Sequence, residues 1–301
     1  MKLHDLNVCM CTRDRNILPI KCIQSLHENS SVFNSINIYV FDNLSSNISE
    51  RFDIFSKLMK RGLIKYYSFD TAETTSYCFP KAIIFKRFIN MMDVKYDIEK
   101  KAGIQPNITP LFALIDDDML FGKSWDTYFV SAMENIKIVA PQTKYIVKYP
   151  GGIPKATRDK AIIHKIKNQF HKNETFSLMN ANFGGGSGFW FMSIDMLRSL
   201  KWNNQELHKT FRKSKKHDSI TWQKIKNEYG NINYVSAVIP PEDEDNPLVL
   251  HLGPNSGSIC NSLTMKTYDK QKNVYMDSEK KFENKNVSEI FQHCKRFTKN
   301  W

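Results

Sequence analysis

Apolar and polar positions switch between two periods along the first part of the chain. Residues 5 to 11 (DLNVCMC) form a short apolar run, and Leu18 to His27 then places Ile20, Ile23 and Leu26 at helical spacing. Ile36 to Phe41 alternates as a strand does and is closed by the polar Asp42-Asn43-Leu44-Ser45-Ser46. Arg51 to Arg61 reads as an amphipathic helix and Leu63 to Phe69 as a strand. Pro80 to Met92 reads as a helix with proline in its first turn, followed by a polar loop. Leu111-Phe112-Ala113-Leu114-Ile115 is too short for a typical helix and predicts a strand buried on both faces. Three carboxylates, Asp116, Asp117 and Asp118, stand where that strand ends. Strands and helices alternate throughout, with polar residues at every strand exit, which predicts a doubly wound, mostly parallel sheet.

The second part continues with a helix over Trp125 to Met133 and a strand over Lys137 to Ala140. Tyr149-Pro150-Gly151-Gly152 is a turn. Asn182 to Met192 holds four glycines in five residues beside Phe189, Trp190 and Phe191, then passes into a strand and a helix over Ile194 to Leu200. Glycines let backbone approach a ligand and the aromatics offer flat apolar surface, although a flexible hinge has the same composition. His217-Asp218-Ser219 heads a helix over Ile220 to Tyr229, and Ile232 to Ile239 is a further strand. Glu242 to Asp245 reads as a solvated acidic turn. Leu248 to Leu250 is a short strand that delivers His251 to a loop mouth before Gly253-Pro254. Val287, Ile290, Phe291, Cys294 and Phe297 share one face of a C-terminal helix, read as a docking helix.

Composition narrows the class. At 301 residues, 41% hydrophobic and 25% charged, the chain suits one large α/β domain with elaborations or two small domains. No signal peptide and no membrane-spanning run is visible. The six cysteines are scattered and read as reduced thiols, and Cys9-x-Cys11 lacks a partner pair at zinc spacing. The net charge of +12 is concentrated: Lys144 to Lys172 contributes +7 and Lys201 to His217 contributes +5. A localised excess points to a polyanionic partner, although basic runs are also common as solvated faces.

The chemistry gathers at the aspartates. Three adjacent negative charges need neutralising, by solvent at a turn or by a hard cation bridging phosphate oxygens. Strand alternation puts Asp116 and Asp118 on one side and Asp117 on the other, so the first and third would share a ligand. No G-x-G-x-x-G follows the first strand and no G-x-x-x-x-G-K-[ST] occurs, so a glycine-rich phosphate cradle is absent and a metal would have to serve. Asp218 on its own reads equally as a helix-start acid.

In this order and spacing the motifs resemble the GT-A glycosyltransferases, most of all the inverting, family-2-like branch, over residues 5 to 255. Thr12-Arg13-Asp14 is similar to the family's opening, where the nucleotide base docks, and Phe41-Asp42-Asn43 resembles its acidic turn against the nucleoside. Asp116-Asp117-Asp118 matches the D-x-D motif, which implies that Asp118, with Asp116, holds Mn²⁺ or Mg²⁺ against the diphosphate of a nucleotide-sugar, a UDP-sugar first among candidates. Asp116 and Asp117 are implied donor contacts. Gly185-Gly186-Ser187-Gly188, with Trp190 beside them, looks like the segment lining the acceptor pocket. His217-Asp218 stands where the family carries Glu-Asp, which implies Asp218 as the base and departs from the pattern at the preceding position. His251 resembles the late histidine that completes the metal site in many members.

The resemblance implies a GT-A fold, Rossmann-like with helices flanking the sheet. The donor half would span 1–122, the acceptor half 123–260, and a C-terminal extension 261–301. With no signal peptide or spanning run and with scattered, reduced cysteines, the expected location is cytoplasmic or peripheral at the inner membrane surface. The acceptor would be polyanionic: an envelope glycan, or a hydroxymethylated base in DNA or a site in RNA. The alternatives are a non-catalytic nucleic-acid-binding α/β module, which leaves the aspartates and His251 unexplained, and a sugar-nucleotide hydrolase or nucleotidyltransferase. The nucleotidyltransferases usually carry a lysine-bearing glycine loop that Cys11-Thr12-Arg13-Asp14 is not.

Overall fold

The computed structural model describes residues 4–43, 45–70, 78–104, 111–134, 138–141, 143–145, 162–180, 189–193, 234–239, 248–252 and 279–298. Strand β1 (His4–Thr12) sends Leu6, Val8 and Met10 to one face, and all three are fully buried because the strand lies inside the sheet. Helix α1 (Ile17–Glu28) crosses to β2 (Phe33–Asn43), and α2 (Ile48–Lys60) crosses to the edge strand β3 (Tyr66–Asp70). Helix α3 (Cys78–Lys101) then carries the chain back over the sheet to β4 (Leu111–Asp116) on the other side of β1. These four strands are mutually parallel in the order β3-β2-β1-β4. The chain therefore reverses its winding between β1 and β4, where a ligand crevice opens in such sheets. Helix α3 runs nine residues past Met92, through what the sequence reading takes as a polar loop. Its Phe88 and Met92 stay on the sheet while Val94 and Ile98 face outward, so helical hydrogen bonding rather than burial carries its last turns.

Beyond β4 the sheet continues with β10 (Phe189–Ser193), β6 (Ile138–Pro141), β11 (Tyr234–Ile239), β9 (Thr175–Asn180) and β8 (Ile162–Lys167). Only β10 and β9 run against the rest among the nine described strands, so the sheet is mostly parallel and flanked by helices, as expected. The hairpin β8–β9, set in and after the basic segment, is not visible in the period of the sequence.

One face of the sheet packs on α1, α2 and α4 (Trp125–Met133). Trp125 and Phe129 stand among Phe121, Phe189 and Phe191, with Trp125 and Phe121 ring centroids 4.7 Å apart. Fully buried side chains of this size contribute about 2–3 kcal/mol each, so truncating Trp125 to alanine should cost about 3–5 kcal/mol. The opposite face packs on α3, whose Phe88 meets Tyr39, Phe41 and Phe112.

A small second sheet sits beyond the carboxyl end of β4. Its strands are β5 (Met119–Phe121), β12 (Val249–His251) and β7 (Thr143–Tyr145), in the order β5-β12-β7. The C-terminal helix α5 (Val287–Thr298) docks there: Val287, Ile290, Phe291 and Phe282 close over Leu18, Leu120, Leu250 and Leu252. Among the described residues no helix is long and apolar enough to cross a membrane.

Candidate active site at the exits of the central strands

Strand alternation stops at Asp116. Asp117 and Asp118 form a two-residue turn before β5, and this turn aims both at the same partner. Arg15 Nη1 lies 2.7 Å from Asp117 Oδ1 and 2.8 Å from Asp118 Oδ2. The second and third carboxylates thus share a partner across the turn, a pairing that strand alternation alone does not suggest. Asp116 keeps its backbone carbonyl over the buried Cys22, whose thiol lies 3.9 Å away. Burial, with Asp117 and Asp118 close by, pushes that thiol well up and holds it protonated.

His251 arrives through the small sheet. Antiparallel pairing sets His251 opposite Met119, and the Leu252 amide donates to the Asp118 carbonyl at 2.8 Å. The imidazole Nε2 then lies 3.0 Å from Asp118 Oδ1. Asp118 and His251 are each 2% exposed. Burial acts to raise the Asp118 carboxyl, but His251 and Arg15 outweigh it and hold it well below the usual carboxylate range. Asp117 goes the other way, pushed up to about 6 by burial against the opposing pull of Arg15. Of the two, Asp118 is the one held more firmly in its charged form.

The β1 exit is tied to the same cluster. Thr12 Oγ1 donates to Asp117 Oδ2 at 2.7 Å and accepts from Arg51 Nη2 at 2.8 Å. Arg51, fully buried on α2, also donates through Nε to Asp42 Oδ2, and through Nη1 to the Arg15 carbonyl and to Asn16 Oδ1. Asp42 accepts further bonds from Tyr67 Oη at 3.1 Å and the Ser45 amide at 3.1 Å. Asp42 is fully buried with both oxygens engaged, so it secures the strand exits instead of facing a nucleoside.

Asp14 has a left-handed φ of 52°. Its carboxylate receives the Ser46 amide at 2.7 Å, while its own amide donates to Ser45 Oγ at 2.7 Å, which pins the loop and turns Arg15 back over β4. Arg13 is buried beside it, Nε 3.7 Å from Asp14 Oδ2. Behind the loop, Glu279 caps α1 by accepting from the amides of Asn16, Ile17 and Leu18 at 3.2, 3.1 and 2.9 Å. Asn16 at the cap position cannot do this itself, because its side chain is spent on Arg51 and Glu50.

The structure therefore brings Thr12, Asp117, Asp118 and His251 together, with Arg13 and Asp14 in the loop alongside. Trp190 is a correction. It is fully buried in β10 opposite Leu114, its ring 6.4 Å from Phe85 of α3, so it is core and no acceptor platform. Gly185, Gly186, Ser187, Gly188 and Asp218 lie outside the described residues, as do the helix over Ile220 to Tyr229 and the acidic turn. Three residues escaped the sequence reading: Arg15, Arg51 and Glu279. Charge balance against three aspartates could have singled out Arg15. Arg51 and Glu279 carry no such signal, since one charge on a helix or loop normally meets water.

Among the described residues no three His, Cys, Asp or Glu side chains converge on a point. Two do. Asp118 Oδ1 is buried and receives no aligned hydrogen-bond donor, although the His251 nitrogen stands 3.0 Å away. A buried carboxylate oxygen and an imidazole nitrogen about 3 Å apart stand at the spacing of neighbouring ligands of a divalent cation with bonds of about 2.1 Å. Mg²⁺ and its like commonly take one or two protein ligands and complete their shell from substrate phosphates. The donor set fits such an ion.

No protein-family model and no curated protein sequence matches the chain. Among solved structures it is similar to S. aureus TarS, at 12% identity and a TM-score of 0.49, over 95% of this chain and 44% of that one. It is similar to TarS 1–349 in complex with UDP-GlcNAc at 11% identity and a TM-score of 0.41, over 67% and 52% of the two chains. It is also similar to a mannosyltransferase from Pyrobaculum calidifontis in complex with GDP-Man and Mn²⁺, at 9% identity and a TM-score of 0.47, over 97% and 73%. The chain spans about half the length of the TarS structures it matches.

Proposed function

We propose that this chain is a metal-assisted glycosyltransferase that moves a sugar from a nucleotide-diphosphate donor to an acceptor hydroxyl with inversion. The observation that carries the reading is the buried, facing pair Asp118 Oδ1 and His251 Nε2 at the winding reversal of the sheet. Asp118 and His251 would hold Mn²⁺ or Mg²⁺, and such an ion supplies Lewis-acid neutralisation to a departing diphosphate. Thr12, Arg13 and Asp14 form the loop over the donor side, and Asp117 fixes that loop to the aspartate turn. Asp218 takes the proton from the acceptor hydroxyl on the far face of the sugar. Gly185 to Gly188 lets the acceptor come close. The basic segments flanking that stretch in sequence suit an anionic acceptor: an envelope glycan, or a hydroxymethylated base in DNA.

The test is a thermal-shift panel with UDP-GlcNAc, GDP-Man and other nucleotide-sugars, with and without Mn²⁺. A true donor raises the melting temperature only with metal present. Asp218→Asn should keep that shift and lose transfer by about 10²–10⁴-fold. If no nucleotide-sugar shifts the protein under either condition, the reading is wrong.

A further inference from the structure

Arg15 already places a positive charge where the sequence calls for a cation. Its guanidinium takes Asp118 Oδ2 at 2.8 Å and Asp117 Oδ1 at 2.7 Å, leaving Oδ1 of Asp118 toward His251. The residue is preset from behind: Arg51 grips its carbonyl, Glu279 grips the amides that follow, and Asp14 turns left-handed before it. A fixed charge of this kind does not leave when a metal approaches. It withholds one oxygen of Asp118 and repels a second cation.

We infer that Arg15 is a resident counter-cation that competes with the divalent ion for Asp118, keeping metal affinity low until a nucleoside diphosphate supplies the missing ligands and negative charge. It rests on the reading of Asp118 and His251 as the metal pair. It makes Arg15 a positioning residue that couples metal binding to donor binding. An apo site so balanced folds without its ion.

The experiment is Mn²⁺ binding followed by the electron paramagnetic resonance of the free ion, with Mn²⁺ alone and then with UDP or GDP. Wild type should bind Mn²⁺ alone weakly and at least about tenfold more tightly with the right nucleotide. Arg15→Gln should bind Mn²⁺ alone about tenfold more tightly than wild type, because a neighbouring positive charge is gone. Its gain from nucleotide should shrink. Arg15→Lys, which keeps the charge and loses the planar fork, should resemble wild type. A residue that merely held the loop in shape would weaken Mn²⁺ when replaced, so weaker or unchanged binding in Arg15→Gln overturns the inference. Should that variant not fold, Asp117→Asn carries the test: with Arg15 left wholly to Asp118, Mn²⁺ alone should bind more weakly, and unchanged binding overturns it. Tighter Mn²⁺ binding in Arg15→Gln with no response to any nucleoside diphosphate would sink the transferase reading and the nucleotide coupling, leaving only the competition for Asp118. Absence of Mn²⁺ binding in every protein would remove the metal pair and the inference with it.

Discussion

Two buried arginine–aspartate clusters sit side by side at the strand exits, and they are finished differently. Around Asp42, every oxygen is met: Arg51, Tyr67 and the Ser45 amide surround a carboxylate with no exposure at all. Around Asp118, Arg15 holds one oxygen, while the other faces His251 without an aligned donor. A closed cluster can only hold the fold. The open cluster leaves one carboxylate oxygen toward an imidazole nitrogen, an arrangement that can also take a ligand. Thr12, bonded to both Arg51 and Asp117, joins the two.

Breaking the closed cluster should have the largest effect. Arg51→Met leaves Asp42 charged and unpaired in the interior and should cost about 3–5 kcal/mol in chemical denaturation. A loss no greater than that of Arg15→Gln would erase the distinction. The reciprocal change in the open cluster is Asp118→Asn. The folding loss should be smaller than that of Arg51→Met, since Arg15 keeps Asp117, whereas Mn²⁺ affinity should fall by at least about a hundredfold by titration. A large stability loss would mark Asp118 as structural.

Smaller still is the contribution of Glu279, which steadies the loop carrying Arg15. Glu279→Ala removes the cap on α1 and should cost about 1 kcal/mol, with Asn16 unable to take over. Burial pushes the Glu279 carboxyl above its ordinary 4.5 despite three amide donors. The fold therefore favours its neutral form, so its share of stability is whole below about pH 4.5 and declines as pH rises through the raised value. Melting curves of wild type and Glu279→Ala should converge as pH climbs from 4 toward neutrality, and a gap that widens instead would refute the burial argument.

The alternation of apolar strands and amphipathic helices was legible through β4 and α4 because each element's burial pattern is local: Leu111 to Ile115 and Trp125 to Met133 fall where the period puts them. Three-residue β5 and β7 were not, since strands that short owe their form to partners far away in the chain, and neither was the hairpin β8–β9, which begins inside the basic segment. Trp190 misled for a related reason. Neighbouring glycines suggest a pocket, but its strand lies beside β4 and the ring turns into the core.

By itself the sequence determined an α/β sheet and placed three aspartates at the tip of a central strand, because hydrophobic periodicity and charge are properties of neighbouring residues. That Arg15 joins Asp117 and Asp118, that Arg51 closes Asp42 away, and that His251 meets Asp118 were decided only by tertiary structure. Those contacts join residues distant in the chain, and their geometry follows from a two-residue turn and the register of β12 on β5.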